Sequence, residues 1–264
     1  KRPIFYNDKH FKERELYNLR KDPLEKNNLA GNRKDILLLD VTPLSLGIET
    51  AGGLMDVLIP RNNKIPCRVG REYTTSIDGQ INLKISVYQG ERELVAQNRK
   101  LGEFILKEIP AMPAGFPKIE VAFALDADGL LKVSAKELRS GVTQQIDIKP
   151  QYGLTDDQVE AMLLAGFQHA QEDVTARLHQ EAINEGQQLV YLAQRFIEKN
   201  ANLLNEEEMA GTKQRISSLE CLLAERGEKD AILQAVTELN DYTRPFAERL
   251  MDVAVSAALK GKEI

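Results

Sequence analysis

The sequence predicts an antiparallel β-sandwich followed by an α-helical lid or bundle. Two observations carry this. From Met55 to Lys149 apolar residues recur at every second position, the spacing that puts one set on a core face and the other outward. At Tyr152–Gln158 the period changes to that of a helix and keeps it to the end of the chain.

In the first half, Ile81, Leu83, Ile85 and Val87 alternate with Asn82, Lys84, Ser86 and Tyr88. Ile119, Val121, Phe123 and Leu125 alternate with Glu120, Ala122 and Ala124, and Leu131, Val133 and Ala135 with Lys132 and Ser134. Asp126-Ala-Asp-Gly129 is a hairpin turn in which Gly129 takes positive φ, and Arg139-Ser-Gly141 joins the next pair. Pro60, Pro66, Pro110, Pro113 and Pro117 fall between strands, where a missing donor does no damage. Seven or eight short strands at this spacing indicate a sandwich. In the second half, Thr155 to Gln158 forms a capping box, with Asp156 and Asp157 favouring the positive helix end. One long helix is expected through Val159, Met162, Phe167, Val174, Leu178, Leu189 and Ile197. A break follows at 200–206, then a helix over 207–225, and one or two more over 230–259 with a kink at Pro245.

Composition is that of an ordinary globular chain, 42% hydrophobic and 28% charged over 264 residues, enough for two modest domains. No apolar run approaches a membrane span. Two cysteines, Cys67 and Cys221, in segments of different type point to a reducing cytoplasm or organellar matrix. The first 35 residues carry ten basic and six acidic side chains, against a net charge of -5 for the whole. The acidic remainder and the absence of Trp argue against nucleic acid. The sequence gives no catalytic constellation and no metal site. His169 and His179 would lie about 15 Å apart on one helix, phosphate-binding glycine loops are missing, and Asp126-x-Asp128-Gly129 lacks the later ligands of a calcium loop.

Two polar, hydroxyl- and glycine-rich segments, Ile48–Gly53 and Tyr73–Gly79, flank apolar strand ends at Ile48, Leu54, Tyr73, Leu83, Ile85 and Ile119. Taken singly, each of these apolar residues reads as core. Together with the loops they suit an extended peptide, whose backbone would bond the loops while one side chain enters an apolar pocket.

Leu37-Leu-Leu-Asp-Val-Thr-Pro-Leu-Ser-Leu-Gly-Ile-Glu-Thr50, Tyr88-Gln-Gly-Glu-Arg92, Leu101-Gly-Glu-Phe104, Asp126-Ala-Asp-Gly-Leu130, Val133-Ser-Ala-Lys136 and Tyr152-Gly-Leu-Thr155 resemble, in order, the interdomain linker and substrate-binding domain of the 70-kDa heat-shock chaperones. Within that family, Ile59-Pro-Arg-Asn62, Gly90-Glu-Arg-Glu-Leu-Val95, Ile109-Pro-Ala-Met-Pro-Ala-Gly115 and Asp173-Val-Thr-Ala-Arg177 are similar to HscA, the iron–sulfur cluster assembly branch. The resemblance covers 35–264. It implies an interdomain linker at 35–42 with Leu37, Leu38, Leu39, Asp40 and Val41, a peptide-binding sandwich over 43–151 and a helical lid over 152–264. By position, Leu83 floors the central pocket, with Ile48, Tyr73, Ile85 and Ile119 as walls, while Thr50, Thr74, Thr75, Ser76 and Gln80 line the peptide backbone. Leu54 belongs to the same apolar set. Ala51 and Ser76 stand where the family builds an arch over the peptide; both are small, so the arch should be weak. Ala114 stands where other branches carry a latching Arg, so the lid is expected to be held less by ion pairs than by apolar contact.

The resemblance further implies a client with a Leu-Pro-Pro-Val-Lys segment, the iron–sulfur scaffold protein. A general DnaK-type chaperone accepting leucine-rich segments is the alternative. A J-domain co-chaperone and ATP act through the family's nucleotide-binding domain, which this chain is expected to lack, so it should bind peptides without hydrolysing ATP and need no cofactor of its own. Residues 1–34 read as an extra arm. Within it, 15–30 resemble the closing segment of sulfatase-type hydrolases but include none of their catalytic positions, so an enzyme reading gains nothing from them.

Overall fold

The computed structural model describes residues 41–150 and 154–260; the arm at 1–34 and the linker positions Leu37, Leu38, Leu39 and Asp40 lie outside the described residues. Among the described residues, eight strands form two four-stranded antiparallel sheets. They are β1 (Leu46–Thr50), β2 (Leu54–Ile59), β3 (Cys67–Tyr73), β4 (Leu83–Gln89), β5 (Arg99–Leu106), β6 (Ile119–Leu125), β7 (Leu131–Glu137) and β8 (Thr143–Ile148). The first sheet runs β2-β1-β4-β5 and the second β3-β6-β7-β8. Four helices follow, α1 (Asp156–Gln168), α2 (Ala170–Asn200), α3 (Glu206–Ala224) and α4 (Lys229–Lys260). Fold class and turn chemistry are as the alternation predicts. At the β6–β7 turn, Asp126 Oδ1 accepts from the N–H groups of Asp128 and Leu130, and Gly129 has φ of 74°.

Alternate residues of both sheets meet in one core: Leu46, Ile48, Ile85 and Val87 from the first, Val121, Phe123, Leu131 and Val133 from the second. Strict alternation fails on β4, where Ile85 through Gln89 are all buried. The reason is a second layer outside the sheet. The β4–β5 connection folds back so that Val95 packs with Met55 and Tyr88, and the Asn98 amide donates to the carbonyls of Arg92 and Leu94 while accepting from Arg92 N. Ile81, expected in β4, precedes it and is 53% exposed, its carbonyl bonded to Ile109 N.

The helical half departs from expectation at one point. The long helix is broken at His169, which closes α1 and opens α2 with φ of -103° and ψ of 9°. The last stretch is one helix, with Pro245 inside it. Capping boxes start α1 at Thr155–Gln158 and α3 at Asn205–Glu208. Gly166 lets α1 approach the sandwich closely, since a Cβ there would lie 2.7 Å from that of Glu91. The remaining helices enclose a separate apolar core that includes Ala182, Ile183, Val190, Leu219, Ile232 and Leu239.

Candidate functional site: a groove between two loops

A cavity of about 570 Å³ opens at one end of the sandwich, between the β1–β2 turn and the β3–β4 loop. Its apolar lining comes from Ile48, Tyr73, Leu83, Ile85 and Val121, and its rim from Thr50, Ala51, Gly52, Gly53, Thr74 and Ser76, with Glu49, Glu72 and Lys84 adding charge. Tyr73 and Leu83 stand at the ends of β3 and β4, and Ile48, Ile85 and Val121 belong to the core behind them. The turn at 51–53 supplies the rim because Gly52 and Gly53 hold positive φ, 76° and 73°, a region that favours glycine.

The structure therefore brings together eight of the predicted residues: Ile48, Thr50, Ala51, Tyr73, Thr74, Ser76, Leu83 and Ile85. It leaves four out. Ile119 is wholly buried, paired with Tyr73 across β3 and β6. Leu54 is buried where β2 bridges to Leu94. Thr75 is buried between Thr74 and Ser76, its carbonyl taken by Gly115 N. Gln80 turns its amide to the carbonyl of Asn82. Val121 is the apolar residue that sequence reasoning missed. It shares a face with Ile119 by alternation and is as fully buried, so neither periodicity nor exposure marks which of the two borders the cavity. Val41 bridges Lys64 at the foot of the sandwich.

Helix α2 spans the two rims. Asn184 Nδ2 donates to the carbonyl of Ala51 (2.8 Å), and Gln180 and Asn184 sit where a Cβ on Gly52 would be. Arg195, three turns on, pairs with Asp78 of the β3–β4 loop, whose Oδ1 also accepts from Ala114 N. Toward the other end of α2, Arg92 donates twice to Asp173, at 2.6 and 2.8 Å, with side chains only 14% and 6% exposed. Arg177 bridges Glu93 and Glu181. The expectation of a lid held less by ion pairs than by apolar contact is thus corrected. Ala114 does remove a side-chain latch, but its N–H fixes Asp78, and the cation comes from the lid.

The charges behave accordingly. The Arg92 guanidinium, outweighing burial, holds the Asp173 carboxyl below the usual aspartate range. Bonds to Glu93 and Glu181 raise Arg177. Burial, with the Asp56 carboxylate as acceptor, pushes the Tyr73 phenol well up, so it stays a neutral donor. Among the described residues no group of three His, Cys, Asp or Glu could hold a metal ion, and no helix is long and apolar enough to cross a membrane.

A two-sheet sandwich with a groove at one end and a helical lid tied across it is the architecture of a chaperone domain. The Hsp70 protein family model matches residues 26–252, and the chain belongs to the Hsp70 family. It is 46% identical over 239 residues to a chaperone protein HscA homolog of Polynucleobacter asymbioticus, covering 89% of this chain and 38% of that protein. It is 44% identical over 243 residues to those of Laribacter hongkongensis and Neisseria meningitidis, covering 91% of this chain and 39% of each. The chain thus spans about two fifths of the length of the curated relatives it matches.

Proposed function

We propose that residues 43–260 are the client-binding part of an HscA-like chaperone, and that the groove takes an extended apolar segment of the client. The observation that carries this is the cavity itself, apolar where Ile48, Ile85 and Val121 meet it, bordered by hydroxyl- and glycine-bearing loops, and spanned by a helix tied to both rims. Enclosing one leucine-sized side chain there contributes about 1.5–3 kcal/mol, and each main-chain hydrogen bond about 1 kcal/mol. After ordering costs this suits micromolar affinity, weak enough for release. The client is the iron–sulfur scaffold protein, entered through a Leu-Pro-Pro-Val-Lys segment. ATP and a J-domain co-chaperone act through the nucleotide-binding domain of the full-length family member, and Leu37–Val41 is its interdomain linker.

Fluorescence anisotropy with a labelled Leu-Pro-Pro-Val-Lys peptide tests the reading. The chain binds it in the micromolar range, and Leu83→Asp, which places a charge in the apolar lining, abolishes binding while the helical circular dichroism persists. Unchanged affinity in that variant sinks the site. Equal affinity for unrelated leucine-rich peptides replaces the specialist with a general DnaK-type chaperone.

A further inference from the structure

Asp56 does not line the cavity, yet it is tied to a residue that does. It lies on β2 opposite Ile48 of β1, and directly opposed residues share a sheet face, so its side chain leaves β2 on the core side. Arg71 and Tyr73 lie on β3 opposite Val121 and Ile119 of β6 and face inward by the same rule. β2 and β3 are edge strands of different sheets. Their three polar side chains meet in the seam between them. The Tyr73 hydroxyl donates to Asp56 Oδ2 at 2.7 Å, and Arg71 donates to Oδ1. Both carboxylate oxygens are occupied, one by the cation that fixes the carboxylate and one by the phenol that it fixes in turn. The half-buried ring of Tyr73 is left as one wall of the cavity.

We propose that Asp56 is a positioning residue for client selection: by holding the Tyr73 hydroxyl it fixes the ring, and the fixed ring limits the width of the groove to an aliphatic side chain. This rests on the peptide-groove reading above. A tyrosine without its anchor has two free torsions and can swing from the seam, which opens the groove to a larger side chain. Three of the aliphatic lining residues, Ile48, Ile85 and Val121, cannot move in this way, because they are packed in the core.

The test uses the full chain and two fluorescein-labelled peptides that differ only in a central Leu or Phe. The unmodified chain prefers Leu. Asp56→Ala shrinks the ratio of the two dissociation constants by about tenfold, at the low end of what pocket size discriminates. Tyr73→Phe keeps the ring, loses the anchor and shrinks the ratio in the same direction. Asp56→Asn keeps an acceptor for the hydroxyl and restores most of it. A residue that only staples the sheets together would weaken both peptides equally. An unchanged ratio in Asp56→Ala and Tyr73→Phe therefore overturns the inference alone. If Asp56→Ala fails to unfold cooperatively on heating, Tyr73→Phe against Asp56→Asn decides by the same ratio. Binding of neither peptide by the unmodified chain overturns the groove reading, and this inference with it.

Discussion

The two faces of α2 are built from opposite materials. One face places Ala182, Ile183, Val190, Ala193 and Ile197 against α3 and α4. The other carries Asp173, Arg177, Asn184 and Arg195, each bonded to the sandwich. These four recur near whole turns, so the polar seam runs about 33 Å along the helix. An apolar face gains from every neighbour it touches and has no favoured state apart from them. A polar face exchanges protein partners for water at small net cost. The bundle is thus the lasting assembly and the seam the separable one.

Removing one member of the most buried pair tests the seam hardest. Asp173→Ala leaves the Arg92 guanidinium unpaired and weakens lid docking by about 3–5 kcal/mol, read as at least a hundredfold faster peptide release in stopped-flow fluorescence. Because the folded pKa of Asp173 is depressed, its contribution is complete above the ordinary aspartate value of about 3.9. It is lost as pH falls through the lower folded value, so release in the unmodified chain accelerates below about pH 4 and not between 5 and 8. Slow release in Asp173→Ala would show that apolar contacts hold the lid after all.

Leu219→Ala tests the other face. Leu219 is fully buried among α2, α3 and α4, and its truncation costs about 2–5 kcal/mol of bundle stability, measured by urea denaturation followed at 222 nm. The peptide affinity of the sandwich should change far less. A smaller effect is expected at Arg195→Ala. Arg195 and Asp78 are 34% and 23% exposed, so the pair contributes about 0.2–1 kcal/mol. Peptide release quickens a few fold at low salt, and added salt closes the gap between variant and parent. A salt-independent difference would mean that Arg195 acts through packing.

The sandwich was legible because each strand advertises itself by alternation, and each hairpin by its turn residues, as at Asp126–Gly129. The start of α1 was legible from four residues, Thr155–Gln158. What stayed hidden depends on partners distant in sequence. The break at His169 has no glycine or proline to mark it. Val121 rather than Ile119 borders the cavity, and alternation, which puts both on one face, leaves that open. Thr75 and Gln80 were placed by position in a loop whose side chains turn away in turn. The polar seam was missed because nothing in the sequence pairs Asp173, Arg177 and Arg195 with their partners across the gap, Arg92, Glu93 and Asp78. The chemical type of the groove could be read in advance, since hydroxyls and glycines at strand ends free backbone groups wherever they occur.

The rims of the groove are unequally anchored. The loop over 74–82 is bonded to the segment over 109–115 at four points: Thr75 with Gly115, Asp78 with Ala114, Gly79 with Met112 and Ile81 with Ile109. None of the four involves the lid. The turn at 51–53 is clasped from above, by Asn184 on the Ala51 carbonyl. With α2 away, the first rim would keep these four bonds and lose the Arg195–Asp78 pair, and the second would lose its clasp and keep the pairing of Thr50 with Leu54. The rim bearing Thr74 and Ser76 is thus held mainly from within the sandwich, and the rim bearing Ala51 partly by the helix above it.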